Sequence, residues 1–191
     1  MSGTLSALGS SWQQGGVSLT VTPCDAAGVV YTPNLFGATE PESPENGDVW
    51  LKQAEDAPWS YRDALKLYST AGGWQNILLN YCRVTCKGLG EAFKAGDTVT
   101  LTGIPSVVKN AYSSDFSGDV VVDDVAGDSV ILSIAPDIES VLYYGTCVVT
   151  GRSVVWTAMD GKTTQTFDGP FPDVTAQRRV PDLDWLTEHN N

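Results

Sequence analysis

Apolar and polar residues alternate with a period of two in several separate places along the chain, and that period marks strands with one buried face. Val17, Leu19 and Val21 alternate with Ser18, Thr20 and Thr22. Residues 23–28 then supply turn formers before Val29, Val30 and Tyr31, which predicts a hairpin over 17–32 ended by Pro33 and Asn34. Residues 39–48 read TEPESPENGD, a run of prolines and carboxylates before an Asn-Gly turn, and such a run is excluded from a central strand. After it come VWL at 49–51, LKLY at 65–68 and GGWQNILL at 72–79, predicting a small hairpin module with an aromatic cluster of Trp50, Tyr68 and Trp74. Between them, 54–64 offers at most a turn of helix because Pro58 interrupts it.

The densest β-signal runs from 81 to 157. Val99 and Leu101 alternate with Thr98, Thr100 and Thr102, and Val130, Leu132 and Ile134 alternate with Ile131 and Ser133. Val120 to Val122 is a short β-branched run, and Gly-Asp turns at 96–97, 118–119 and 127–128 separate these pieces. VLYYGTCVV at 141–149 and SVVWT at 153–157 add two more strands. With no helical period between them, the expected fold is mainly β: a small antiparallel β-barrel or sandwich domain with an additional β-hairpin module and extended terminal arms. The expected divisions are an N-terminal arm and hairpin at 1–37, the Trp/Tyr hairpin module at 38–80, the antiparallel β-domain at 81–157 and an extended C-terminal arm at 158–191. Val99, Leu101, Val120 or Val122, Val130, Leu132 and Ile134 are the expected inward residues. In the last segment GKTTQTFDGPFPDVTAQ reads as linker, and Asp182 could cap a short helix carrying Leu183 and Leu186, with an extended segment equally open.

Composition narrows the function. A hydrophobic fraction of 42% with six Trp predicts a folded chain. Eleven basic against 23 acidic residues give a net charge of −12, which repels phosphate backbones and anionic lipid, so neither nucleic acid nor a membrane is an expected partner. The opening MSGTLSALGSSW lacks the basic and apolar regions of a secretory leader, and the expectation is a soluble protein made in the cytoplasm.

Catalytic chemistry finds little footing. His189 is the single histidine and lies near the end of the given sequence, so a His-based triad or general base would need that end to fold back into a pocket. No GxSxG, HExxH, phosphate-binding loop or dinucleotide fingerprint occurs, so no catalytic, cofactor-binding or metal-binding residue is assigned and the chain is not expected to be an enzyme. Cys24, Cys82, Cys86 and Cys147 are too sparse for a disulfide framework and are expected to be reduced and buried. Cys82 and Cys86 would stand about 13 Å apart along a strand, too far to be bridged. The adjacent Asp123 and Asp124 point to opposite faces of a regular strand and need a bulge to share a site. Asp182, Asp184 and the Glu40, Glu42, Glu45 run read as solvated carboxylates. Trp50, Trp59, Tyr61, Tyr68 and Trp74 suit a sugar platform as well as core or subunit-interface packing, and core or interface packing is favoured.

Three strings resemble phage structural proteins. ESPENGDVWL followed by LKLYSTAGGWQNI resembles a short module of phage tail and other virion proteins, in which an Asn-Gly-Asp turn leads to a Trp strand, a Tyr strand and a terminal Trp. Asn46, Gly47, Asp48, Trp50, Tyr68 and Trp74 occupy those places. LGEAFKAGDTVTLTGI and VKNAYSSDFSGDVVVDDVAGDSVIL resemble a second phage pattern, a Gly-Asp strand followed by a loop and two strands split by a Gly-Asp turn. RRVPDLDWLTEHNN is similar to the segment that precedes a β-propeller-like region in phage structural proteins, which implies that this chain is a fragment or a shortened relative. The resemblance implies a structural component of a bacteriophage virion, in the tail or the head-to-tail connector, located in the particle and acting through subunit contacts. Implied partners are other virion proteins and further copies of the chain. The alternative is a module that binds host-surface glycan. Trp50, Trp59, Tyr68 and Trp74 are the candidate interface or ligand-facing aromatics, and Val180, Leu183, Trp185 and Leu186 the candidate contacts of a C-terminal arm.

Overall fold

A computed structural model describes residues 10–52, 65–112, 116, 118–136 and 145–179. Its strands are β1 (Ser11–Gln13), β2 (Leu19–Cys24), β3 (Leu35–Gly37), β4 (Val49–Lys52), β5 (Leu65–Ser69), β6 (Gly73–Asn76), β7 (Tyr81–Thr85), β8 (Thr98–Thr102), β9 (Asp119–Ala126), β10 (Ser129–Leu132), β11 (Gly145–Val149), β12 (Ser153–Ala158), β13 (Thr164–Asp168) and β14 (Thr175–Arg178). Two short helices, α1 (Leu89–Ala92) and α2 (Ser106–Ala111), lie among them. The fold is mainly β, as the alternation predicts.

Ten strands form one antiparallel sheet in the order β1-β14-β8-β9-β10-β7-β2-β11-β12-β13. Each of the inward residues expected for the β-domain is in its core: Val99, Leu101, Val120, Val122, Val130, Leu132 and Ile134 are all buried. Val108 and Ala111 of α2, with Tyr112 and Phe116 after it, join the same cluster, the two rings meeting edge to face at 5.9 Å. Neither helix is anticipated by the sequence, because four and six residues are too few to display a helical period.

The hairpin over 17–32 does not form. β2 hydrogen-bonds to β7 on one side and β11 on the other, deep in the sheet, while Val29 and Val30 are exposed. Asp25 is the reason. Its carboxylate accepts the backbone N–H groups of Ala27 and Val29 and the hydroxyl of Tyr31, folding 25–31 into a local turn instead of a returning strand. That turn lies across the outer face of the sheet, where the carbonyl of Gly28 accepts from Arg83 at 3.0 Å. Gly28 has φ +78, and a Cβ there would stand 2.7 Å from Ile131 Cδ1, so any other residue would be strained and would displace the buried Ile131 side chain. The turn also explains why Ile131, on the face opposite Leu132, is only 1% exposed.

The strands disregard the divisions drawn on the sequence. β1 and β2 from the first 37 residues, and β13 and β14 from beyond 157, all belong to the large sheet. The extended C-terminal arm therefore does not hold for 158–179: Val174 and Ala176 are buried, and Arg178 pairs with the nearly buried Asp97 at 3.1 Å. Weak patterning hides these strands, since Phe167 and Ala176 are the sole apolar residues of β13 and β14. Residues 180–191, with Val180, Leu183, Trp185 and Leu186, lie outside the described residues.

Where β1 and β14 meet the rest of the sheet, one side chain ties the parts together. Gln14 is 3% exposed; its Nε2 donates to the carbonyls of Val17 at 2.8 Å and Val149 at 3.0 Å, and its Oε1 accepts the N–H of Val174 at 3.0 Å.

The second sheet, β3-β4-β5-β6, has its own apolar cluster of Val49, Leu51, Leu65, Ile77 and Leu79. Tyr31 and Met159 pack on that cluster from the large sheet's side. β3 pairs parallel to β4 and carries the module back across residue 37.

Candidate functional site

The residues of the ESPENGDVWL and LKLYSTAGGWQNI strings build a single turn and its aromatic flank. Asp48 takes the N–H of Glu45 on one carboxylate oxygen and the Asn34 amide on the other, both at 2.8 Å. Those two bonds favour the ionised form and hold its carboxyl below the usual carboxylate range, the backbone bond from Glu45 being the larger cause. The Asn46 carboxamide accepts the N–H of Thr70, and Gly47 donates to the carbonyl of Tyr68, so the Asn-Gly-Asp turn clamps the β5–β6 connection. Gly47 has φ +93, a conformation that side chains other than glycine's resist.

Trp50, Tyr68 and Trp74 come together beside that turn, as expected. The rings of Trp50 and Trp74 are 5.5 Å apart at 59°, and those of Tyr68 and Trp74 are 5.1 Å apart at 60°. Trp50 is 2% exposed; its indole N–H donates to the Gly37 carbonyl at 2.9 Å and fastens β3 to β4. Tyr68 and Trp74 are half-buried, and Trp59 lies outside the described residues. The sheet edges are open: among the described residues, β3 and β6 bound the small sheet and β1 and β13 the large one.

The four thiols are free and buried, as expected. Burial pushes Cys147 up to about 12, and burial with the neighbouring Asp25 does the same to Cys24 against an opposing pull from Arg83. Cys82 is raised by burial first and by Cys24 second, and Cys86 chiefly by burial. Thiols held protonated in this way are poor nucleophiles and poor metal ligands at neutral pH. Tyr112 is likewise driven well above its ordinary value, by burial first.

A bulge occurs where the acidic pair needed one. The register of β9 on β10 shifts between Ile131 and Leu132, so that Asp124 faces Ile131 while Val122 faces Leu132. Asp123 is the inserted residue, and both carboxylates turn to the solvent side. Asp123 accepts from Ser133, and Asp124 Oδ1 accepts the N–H of Val125 at 2.8 Å. Among the described residues no three His, Cys, Asp or Glu side chains converge as a metal site.

No family model, no curated protein and no solved structure matches this chain. At the junction of the two sheets a cleft of about 190 Å³ is lined by Thr22, Tyr31, Thr146 and Met159, and the Thr22 and Thr146 hydroxyls bond each other at 2.6 Å. A second cleft lies beside Asp25, Leu67, Leu78 and Tyr81. Asp25 is the charged group there, and its oxygens are already taken by the 25–31 turn. What the arrangement offers is surface: strand edges, a half-buried aromatic flank and an apolar Leu78 that is 63% exposed.

Proposed function

We propose that this chain is a structural component of a bacteriophage virion, from the tail or the head-to-tail connector, working through contacts between subunits and without catalysis. The observation that supports this best is the pair of open-edged sheets, since an uncovered strand edge is a template for pairing with another chain. The resemblance of the Asn-Gly-Asp and Gly-Asp strings to phage proteins supplies the setting. Glycan binding is the weaker reading, because a sugar platform needs exposed and near-parallel faces, while Trp50 is almost wholly covered and the neighbouring rings are tilted by 59° and 60°.

The test is to purify the particles that carry this chain, detect it by mass spectrometry and locate it by electron microscopy. Stoichiometric presence in washed particles is expected. A chain absent from them, or one that binds glycan in a manner lost in Trp74→Ala, would overturn the assembly reading.

A further inference from the structure

We propose that the outer edge of β13 is a self-pairing site, whose partner is β13 of a second copy running antiparallel about a two-fold axis through Thr166. The proposal extends the assembly reading by naming the surface and the partner. Its basis is the hydrogen-bond phase of the strand. Gly169 N–H donates to the Arg152 carbonyl at 2.7 Å and Ala158 N–H to the Thr163 carbonyl at 2.8 Å. With β12 and β13 in unbroken register between those points, Gln165 and Phe167 also bond inward to β12. Thr164, Thr166 and Asp168 consequently turn their N–H and C=O groups away from β12, where no strand of the described residues meets them.

β13 is the longest of the four sheet edges, with five residues against three, three and four. Of the usual guards against pairing it contains no lysine, no proline and no bulge, and Asp168 at its end is its one charged side chain. The choice of a second copy rests on charge and register. When Thr166 faces its own counterpart, all three outward residues of each copy are used and about six backbone hydrogen bonds form. Each Asp168 then lies opposite a Thr164 hydroxyl, and the two carboxylates stand at opposite ends of the ribbon. Centring the pair on Asp168 would set like charges face to face, and a shift by one residue would put the inward-bonding groups at the interface. The isologous arrangement is thus the one in which the edge complements itself. A net charge of −12 on each copy opposes the approach, so added salt should strengthen it.

Because the four native thiols are buried, a cysteine introduced on the edge is the reactive one. In the full chain, Thr166→Cys should oxidise to a covalent dimer about tenfold faster than Thr164→Cys, since the axis brings residue 166 against itself and holds the two copies of residue 164 about 13 Å apart. Thr166→Lys, which leaves the backbone untouched, should abolish the concentration-dependent dimer expected in sedimentation while leaving the melting temperature of the dilute, monomeric chain unchanged. Equal crosslinking at both positions, or a wild-type chain that stays monomeric in high salt at high concentration, overturns the proposal. A monomeric chain that is nonetheless found in particles would sink edge pairing alone; a self-pairing chain absent from particles would keep edge pairing and remove the virion reading.

Discussion

Replacing Gln14 with Leu keeps most of the side-chain volume and removes both of its hydrogen-bonding functions. The loss falls on three backbone groups: the N–H of Val174 and the carbonyls of Val149 and Val17. The Val149 bond is buried, the Val174 bond is buried, and the Val17 bond is only partly so. A buried group left without a partner costs about 1–3 kcal/mol, and water reaching Val17 reduces its share, so Gln14→Leu should destabilise the protein by roughly 2–5 kcal/mol. Gln14→Glu should be no better, because its carboxylate can accept from Val174 but turns an acceptor on two carbonyls. Urea unfolding followed by tryptophan fluorescence gives the difference from the shift in midpoint at constant slope. A change under about 0.5 kcal/mol for Gln14→Leu would mean that water or backbone adjustment satisfies all three groups, and the assignment of Gln14 as the tie between β1, β11 and the approach to β14 would be wrong.

Leu132→Ala, at a fully buried position, should cost about 2–5 kcal/mol in the same assay, and a loss below about half a kcal/mol would remove Leu132 from the core. The buried thiols set an alkaline limit. Cys24 and Cys147 rise from 9.0 to about 12 in the folded state, so the unfolded chain releases protons first and stability should fall as pH climbs through that interval. Cys147→Ala should flatten the decline, and an identical pH profile in the variant would refute the cause. Asp48 works in the opposite sense: its folded value is depressed, so its contribution is present above the ordinary value of 3.8 and is lost as pH falls through the lower folded value. Fluorescence of Trp50 and Trp74 should report that acid loosening, and Asp48→Asn should show a weakened module at neutral pH with no further change below 3.8.

The sequence was legible where one face of a strand is buried and the other wet. Val99 and Leu101 against their threonines give that contrast, and the structure buries both. It was also legible in the aromatic trio, whose cross-strand pair Tyr68–Trp74 follows from a tight turn between β5 and β6. Partners were harder to read than strands. Leu19 and Val21 mark β2 clearly, yet nothing in the alternation says that it lies between β7 and β11, because both of those pairings are distant in sequence. Asp25 misled the hairpin reading, since a single carboxylate that captures two N–H groups converts an apparent returning strand into a surface turn. At the edges the signal fades for a physical reason: β13 offers one apolar side chain inward, and its surroundings ask for no more. That same edge carries the proposed contact, so the strand with the weakest pattern is the one with the most consequence for association.

The order of the ten strands also constrains how the chain reaches its fold. Ser11 lies opposite Gln177, so the first strand cannot be paired until residue 177 has left the ribosome. β2 must likewise wait for β7 and β11. The small sheet is different, since β4, β5 and β6 close onto one another in sequence and can form early. Contacts between distant residues are slow to find because loop closure has to precede the energy that rewards it. During that interval β2, whose side chains are almost all destined for burial, is exposed with both of its edges unpaired. The topology therefore predicts a slow-folding chain with an aggregation-prone intermediate, for which synthesis rate and chaperone supply matter more than the stability of the finished protein.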